Sequence, residues 1–213
     1  MPKRRPRQQR PASDKPASRR DGPPRVRIVG GKFRGRLLAY HGDPRTRPMK
    51  DRTREAVFNL VGPAVEGMLA IDLFAGTGAL GLEALSRGAA RALLIERHVP
   101  TLKVLRQNIA TLEVGEVTDS LAADAFHWGL RPNLSGDRPW LVFCSPPYDF
   151  YVERQDDMLQ LIAGLIEAAP TGSLVVVESD NRFDTDSLPG EAWDVRKYAP
   201  AVVALYEKTA DQQ

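Results

Sequence analysis

The sequence predicts an α/β protein built on a mostly parallel sheet of seven strands, and three observations carry that prediction. After Gly67, short apolar runs alternate with longer amphipathic stretches, the pattern of buried strands covered by helices. A glycine-rich turn, Gly76-Thr77-Gly78-Ala79-Leu80-Gly81, separates one such run from a helical segment, as where a strand feeds a crossover helix. The apolar run Leu141-Val142-Phe143-Cys144 stops at Ser145-Pro146-Pro147-Tyr148; consecutive prolines lack the amide hydrogens a ladder needs, so the strand ends there in a stiff corner.

Residues 1–25 mix Arg, Pro, Ser, Gln and Lys with almost no apolar side chains. They are expected to form a disordered basic tail, because they bury too little surface to offset chain entropy. An extension over 26–63 follows. Its alternating Val26-Arg27-Ile28-Val29, the pair Gly30-Gly31 and a second strand-like piece around Arg36–Tyr40 read as a small hairpin. Beyond the basic loop RTRPMK, Asp51 is expected to cap a helix that runs to Val61 and is stopped by Gly62-Pro63.

The remaining core, 64–208, contains strands at Leu69–Phe74, Ala92–Glu96, weakly near Val117, Trp140–Cys144 and Leu174–Glu178. Trp193–Lys197 and Val202–Glu207, around Ala199-Pro200, close the sheet as a hairpin with an antiparallel C-terminal strand. Helices are expected at Ala79–Arg87, along Leu102, Leu105, Ile109 and Leu112, and from Glu153 to Ala168, where Met158, Leu159, Ile162 and Leu165 form one apolar stripe. That one-sided last helix suits a monomer.

Composition narrows the function classes. A chain of 213 residues with 42% hydrophobic content supports one domain with a substantial core. No apolar stretch is long enough to span a bilayer and the N-terminus lacks a secretory segment, so a cytoplasmic protein with no membrane partner is expected. Cys144 is the single cysteine, and His41, His98 and His127 are scattered, so no disulfide and no metal is expected. The net charge of +3 is unevenly spread: residues 1–54 hold 18 Lys and Arg against four Asp, a net of +14, leaving −11 for the rest. Such a basic front points to an anionic partner, nucleic acid first.

The turn from Gly76 to Gly81 is a Gly-x-Gly-x-x-Gly between strand and helix. Its glycines permit a sharp turn and close ligand approach at a helix N-terminus. Glu96 lies 20 residues after Gly76, at the end of the next strand, where a carboxylate can accept ribose hydroxyls. A dinucleotide or S-adenosylmethionine would satisfy this much. Asp72, four residues before Gly76, favours the second, since a carboxylate there suits a cationic amino group and repels a pyrophosphate. Asp124 follows the third strand and could accept from an adenine amine or simply cap a helix.

In this order the pieces resemble the bacterial family that methylates guanine N2 in 16S ribosomal RNA, within the class I S-adenosylmethionine-dependent methyltransferases. The resemblance covers roughly residues 26–207 and rests on RIVGGKFRGRLL, RTRPMKDRTREAVFNL, DLFAGTGALGLEALSRGA, LIERH, Ala123-Asp124 and Pro146-Pro147-Tyr148. It implies a Rossmann-like methyltransferase fold, S-adenosyl-L-methionine as cofactor, and 16S rRNA in the small subunit or an assembly intermediate as partner. Asp72, Phe74, Gly76 and Gly78 would then surround the methionine part, Glu96 the ribose and Asp124 the adenine. Arg34, Arg47 and Arg52 would lie on the RNA side, with alanine at Arg34 and Arg47 expected to weaken RNA binding and reduce its salt slope.

The chain departs from the family at Ser145, where Asp or Asn is usual. An exocyclic purine amine is a poor nucleophile because its lone pair is spread into the ring. A side-chain oxygen at 145 and the Pro146 carbonyl would hold its hydrogens, and Tyr148 would stack the extruded base. A serine hydroxyl is shorter, uncharged and free to rotate. The alternatives are a catalytically weak or inactive rRNA-binding or assembly factor, and a DNA amine methyltransferase. An oxidoreductase using a nicotinamide cofactor is further away, because it leaves the Pro-Pro-Tyr corner without a role.

Overall fold

The computed structural model describes residues 26–40, 42, 49–130, 132, 134 and 136–210. The expected basic tail and part of the basic loop, including Arg45 and Arg47, lie outside the described residues.

The extension begins with β1 (Val26–Arg27) and β2 (Leu37–Leu38), an antiparallel pair. The ladder extends past β1 through Ile28, whose N–H donates to Arg36 and whose carbonyl accepts from Gly35. Helix α1 (Asp51–Val61) follows and ends, as expected, at Gly62. Asp51 does not cap it. The N-cap position is Lys50, and the Asp51 carboxylate turns sideways to accept from Arg27 Nε at 2.7 Å and Arg54 at 2.9 Å. Two guanidinium groups prevail over the helix's own amides, because charged donors bind a carboxylate more strongly than neutral ones.

The core alternates β3 (Leu69–Asp72), α2 (Ala79–Ser86), β4 (Arg91–Ile95), α3 (Val99–Thr111), β5 (Thr118–Leu121), α4 (Ala125–Gly129), β6 (Trp140–Cys144), α5 (Phe150–Glu153), α6 (Gln155–Ala168), β7 (Leu174–Asp180), β8 (Asp194–Tyr198) and β9 (Ala201–Glu207). The sheet has seven strands in the order β5-β4-β3-β6-β7-β9-β8. β3 to β7 run parallel, and β9 is antiparallel to both its neighbours. This is the predicted architecture. The helix expected over Glu153–Ala168 is α6, which begins two residues later at Gln155; a separate short helix, α5, precedes it across a break at Arg154, whose φ of −136° and ψ of 39° are not helical. The short helix α4 is signalled only by the capping alternative at Asp124, and α5 has no counterpart among the expected elements; four or five residues are too few to show a period.

Both faces of the sheet are covered, which is why its strands read as continuous apolar runs. Along β6, Leu141 and Phe143 join a core with Phe58, Leu82 and Leu105 from α1, α2 and α3, while Val142 and Cys144 join a second core with Tyr151, Met158 and Ile162. The alternation is the strand's two-residue period.

The extension is anchored to the core by side chains. Glu83, 0% exposed on α2, accepts from the Val29 and Gly30 amides at 2.7 Å each and from Arg87 Nε at 2.8 Å. Ser86 donates to the Gly30 carbonyl and accepts from the Phe33 amide. Asn108 on α3 bonds the Ala39 amide and carbonyl and also the Thr77 carbonyl of the glycine turn. Gly31 makes this approach possible: its φ is +71°, and an added Cβ would lie 1.9 Å from the Ser86 carbonyl oxygen. Arg54, fully buried, donates to the Met49 and Arg27 carbonyls and to Asp51.

Candidate active site

β3 and β6 are adjacent, with Asp72 opposite Phe143, yet the chain leaves β3 toward β4 on the other side. The strand order reverses here, and in open α/β sheets such a reversal opens a crevice at the carboxyl ends of the strands. The glycine turn after β3 and the Ser145-Pro146-Pro147-Tyr148 corner after β6 both lie at this end.

Asp72 is buried, with 1% exposure. One carboxylate oxygen accepts from the Gly81 amide at 3.3 Å, and among the described residues the other has no hydrogen-bond partner. Burial pushes its pKa up to about 7, against the Gly81 and Phe74 amides that favour the charged form, and the nearby Glu96 adds to the rise. An unfilled acceptor on a buried acid fits a cationic amino group, which would supply the missing donor and the compensating charge.

The glycine turn is tied to the end of β4 through Glu96. Gly76 donates to Glu96 Oε2 at 2.9 Å, and Glu96 Oε1 accepts from the His98 amide at 2.7 Å. Each oxygen keeps a lone pair for a ribose hydroxyl. The 20-residue spacing thus places Glu96 against the turn itself, a contact the motif does not reveal. Gly78 has a φ of +85°, and an added Cβ would meet Leu105 at 2.4 Å. This glycine serves packing as well as conformation.

Asp124 caps α4 by accepting from the Phe126 amide at 2.9 Å, while its other oxygen stands 3.5 Å from Arg97. The capping role named beside the adenine role is therefore real, and the two are compatible because the second oxygen stays outside the cap. Phe74 packs edge-on against Phe126 and Phe150 at ring-centroid distances of 5.9 and 6.1 Å, and Arg154 covers Phe126 at 3.8 Å. Phe126, on α4, and Phe150 and Arg154, at the two ends of α5, escape sequence reasoning because they come from two separate short helices with no shared motif.

At the corner, Pro146 is buried and Pro147 exposed. The Pro147 and Tyr148 carbonyls accept from the Phe150 and Tyr151 amides, so the turn closes at once into α5. Among the described residues the Pro146 carbonyl receives no hydrogen bond. Ser145 donates through its hydroxyl to Glu178 Oε2, and Tyr148 donates its phenol proton to Glu178 Oε1 at 2.7 Å. Glu178, on β7, reads in the sequence only as the end of a strand. A carboxylate in an apolar run, Val175-Val176-Val177-Glu178, is the available signal.

Arg34 and Arg52 are exposed on the extension, and Arg52 lies in the first turn of α1. Lys32 lies over the Phe33 ring at 4.9 Å, and Arg36 donates to the Thr111 carbonyl at 2.7 Å. Phe33 and Tyr40 pack against the core.

A doubly covered sheet in this strand order, with a glycine turn and a carboxylate at successive strand ends, defines a class I methyltransferase fold. The family described as "Conserved hypothetical protein 95" matches residues 26–207, and the chain belongs to it. Ribosomal RNA small subunit methyltransferase D of Escherichia coli (strain K12) is 48% identical over 195 residues, covering 89% of this chain and 93% of that protein. The protein of the same name from Haemophilus influenzae is 30% identical over 185 residues, covering 85% of this chain and 91% of its own length. Among solved structures, a putative methyltransferase from Escherichia coli superposes with a TM-score of 0.70 at 30% identity, covering 88% of this chain and 99% of that one. No helix among the described residues is long and apolar enough to cross a membrane.

Proposed function

We propose that the protein transfers a methyl group from S-adenosylmethionine to the exocyclic N2 of a guanine in 16S rRNA of the small ribosomal subunit. The curated relatives named for small-subunit rRNA methylation support the RNA class. The observation that carries the reading is the placement of Asp72, with its unfilled acceptor, and the Ser145 corner on adjacent strand ends. S-adenosylmethionine, when bound, supplies an electrophilic methyl: the amine nitrogen bonds to the methyl carbon, the carbon–sulfur bond breaks and sulfur keeps the pair.

The chain's own residues bind and orient. Asp72 holds the donor's ammonium group, Phe74, Gly76 and Gly78 shape the turn around it, Glu96 accepts from the ribose and the outer oxygen of Asp124 from the adenine. The Pro146 carbonyl and Ser145 oxygen accept from the target amine, and the Tyr148 ring stacks the extruded base. Residues 26–63 act as the RNA-binding extension, with Arg34 and Arg52 on phosphates. Labelled methyl transfer to 30S subunits from a strain lacking the protein, followed by digestion and mass spectrometry, tests this. Label on N2-methylguanine is the expected result, and label on another base or none overturns it.

A further inference from the structure

Glu178 belongs to no motif of the sequence, yet it organises the corner. It is 5% exposed and lies one residue beyond the Val177–Cys144 pair that joins β7 to β6, which brings its side chain beside Ser145. Ser145 and Tyr148 each donate to one of its two oxygens. A serine that has committed its proton to a carboxylate cannot rotate freely, and both its lone pairs remain available to an incoming donor. The same carboxylate anchors the far end of the Tyr148 ring.

We propose that Glu178 is the positioning residue of the methyl-transfer corner, fixing Ser145 Oγ as the acceptor for a hydrogen of the target amine and receiving the amine's surplus proton through that hydroxyl. The proposal rests on the guanine-amine reading above. After the nitrogen has bonded to the methyl carbon, its extra proton passes to Ser145 Oγ while the Ser145 proton moves onto Glu178 Oε2. The carboxyl group then releases it to water, and no other bond changes. Burial raises the pKa of Glu178 despite the two donors, which makes it a stronger proton acceptor than a solvated carboxylate. The groups facing it are Ser145 and Tyr148 from the corner, Tyr151 from α5 and, across β9, the uncharged Val203.

The test compares wild type, Glu178→Gln, and Glu178→Gln combined with Ser145→Asn, whose amide carries its own fixed acceptor, in methyl transfer to unmethylated 30S subunits. Glu178→Gln is expected to lower kcat about a hundredfold with the 30S KM and the calorimetric affinity for S-adenosylhomocysteine within about twofold, and the added Ser145→Asn to recover about tenfold. An unchanged kcat, or a loss that Ser145→Asn leaves untouched, overturns the proposal. Independently of activity, the Glu178 carboxyl carbon is titrated by NMR in wild type and Ser145→Ala. Losing a donor to the charged form moves the midpoint to higher pH, and an unmoved midpoint also overturns it. Wild-type label on a different base defeats the guanine reading while leaving the NMR result to judge the Ser145–Glu178 pair by itself.

Discussion

Glu83 on α2 and Asp72 at the end of β3 are both buried carboxylates, and the fold completes one while leaving the other short. Glu83 receives two backbone amides and Arg87, with Arg54 Nε 3.6 Å away. Asp72 receives Gly81 at a long 3.3 Å and keeps one oxygen without a partner among the described residues. A buried charge whose partners are all supplied by the protein holds two pieces of chain together; a buried charge one partner short is poised for a ligand. The difference separates the interface that docks the extension from the site that the extension borders.

The largest effect is expected where the carboxylate is complete. Glu83→Ala strips Arg54 and Arg87 of a shared partner and leaves two amides unsatisfied, a loss of about 3–5 kcal/mol for breaking a buried pair. Urea denaturation measures it, and a loss under about 1 kcal/mol, the range of an exposed pair, would show that the extension does not depend on this carboxylate.

Asp72→Asn should behave in the opposite way. In the free protein the folded pKa, about 7, lies above the ordinary value of 3.8, so between those values the native state holds a proton that the unfolded chain has lost. Stability contributed by this group is therefore full below about pH 4 and falls as pH rises toward 7, by up to about 1.4 kcal/mol per pH unit. Asparagine abolishes that slope while weakening S-adenosylhomocysteine binding by roughly tenfold to a hundredfold, the scale of a hydrogen bond between charged groups. Melting curves from pH 4 to 8 with calorimetry check both halves. A variant that keeps both the slope and the affinity would mean that Asp72 only braces the turn.

The smallest effect is expected outside both carboxylates. Arg34→Ala with Arg52→Ala removes two exposed cations and should reduce the salt slope of RNA binding by about 1.5, at roughly 0.7–0.9 per phosphate contact, with stability and S-adenosylhomocysteine affinity unchanged. An identical slope would move the RNA surface elsewhere.

Position 145 also lies against a buried carboxylate, Glu178. Ser145→Asp would set a second carboxylate against Glu178, and two such groups sharing a site cannot both ionise cheaply. The acid that a sequence reader misses at 145 is present on the neighbouring strand.

What the sequence alone determined is whatever is written in local period and local chemistry: the run Trp140–Cys144, the stop at two prolines, the glycine turn, the closing hairpin and the basic front of the chain. These follow from backbone stereochemistry and from apolar residues having a single place to go. Tertiary structure alone decided which polar group meets which. Asp51 is legible as a helix cap, but a long-range guanidinium claims it, and nothing in the local sequence shows that Arg54 is fully buried with its side chain on the Arg27 carbonyl. Glu96 reaching the Gly76 amide, Asn108 bridging the hairpin to the turn, and Glu178 collecting Ser145 and Tyr148 join residues 20 to 69 positions apart. Hydrogen bonds are short and directional, so their partners are set only once strands and helices have been brought into register, and no one-dimensional spacing encodes that register.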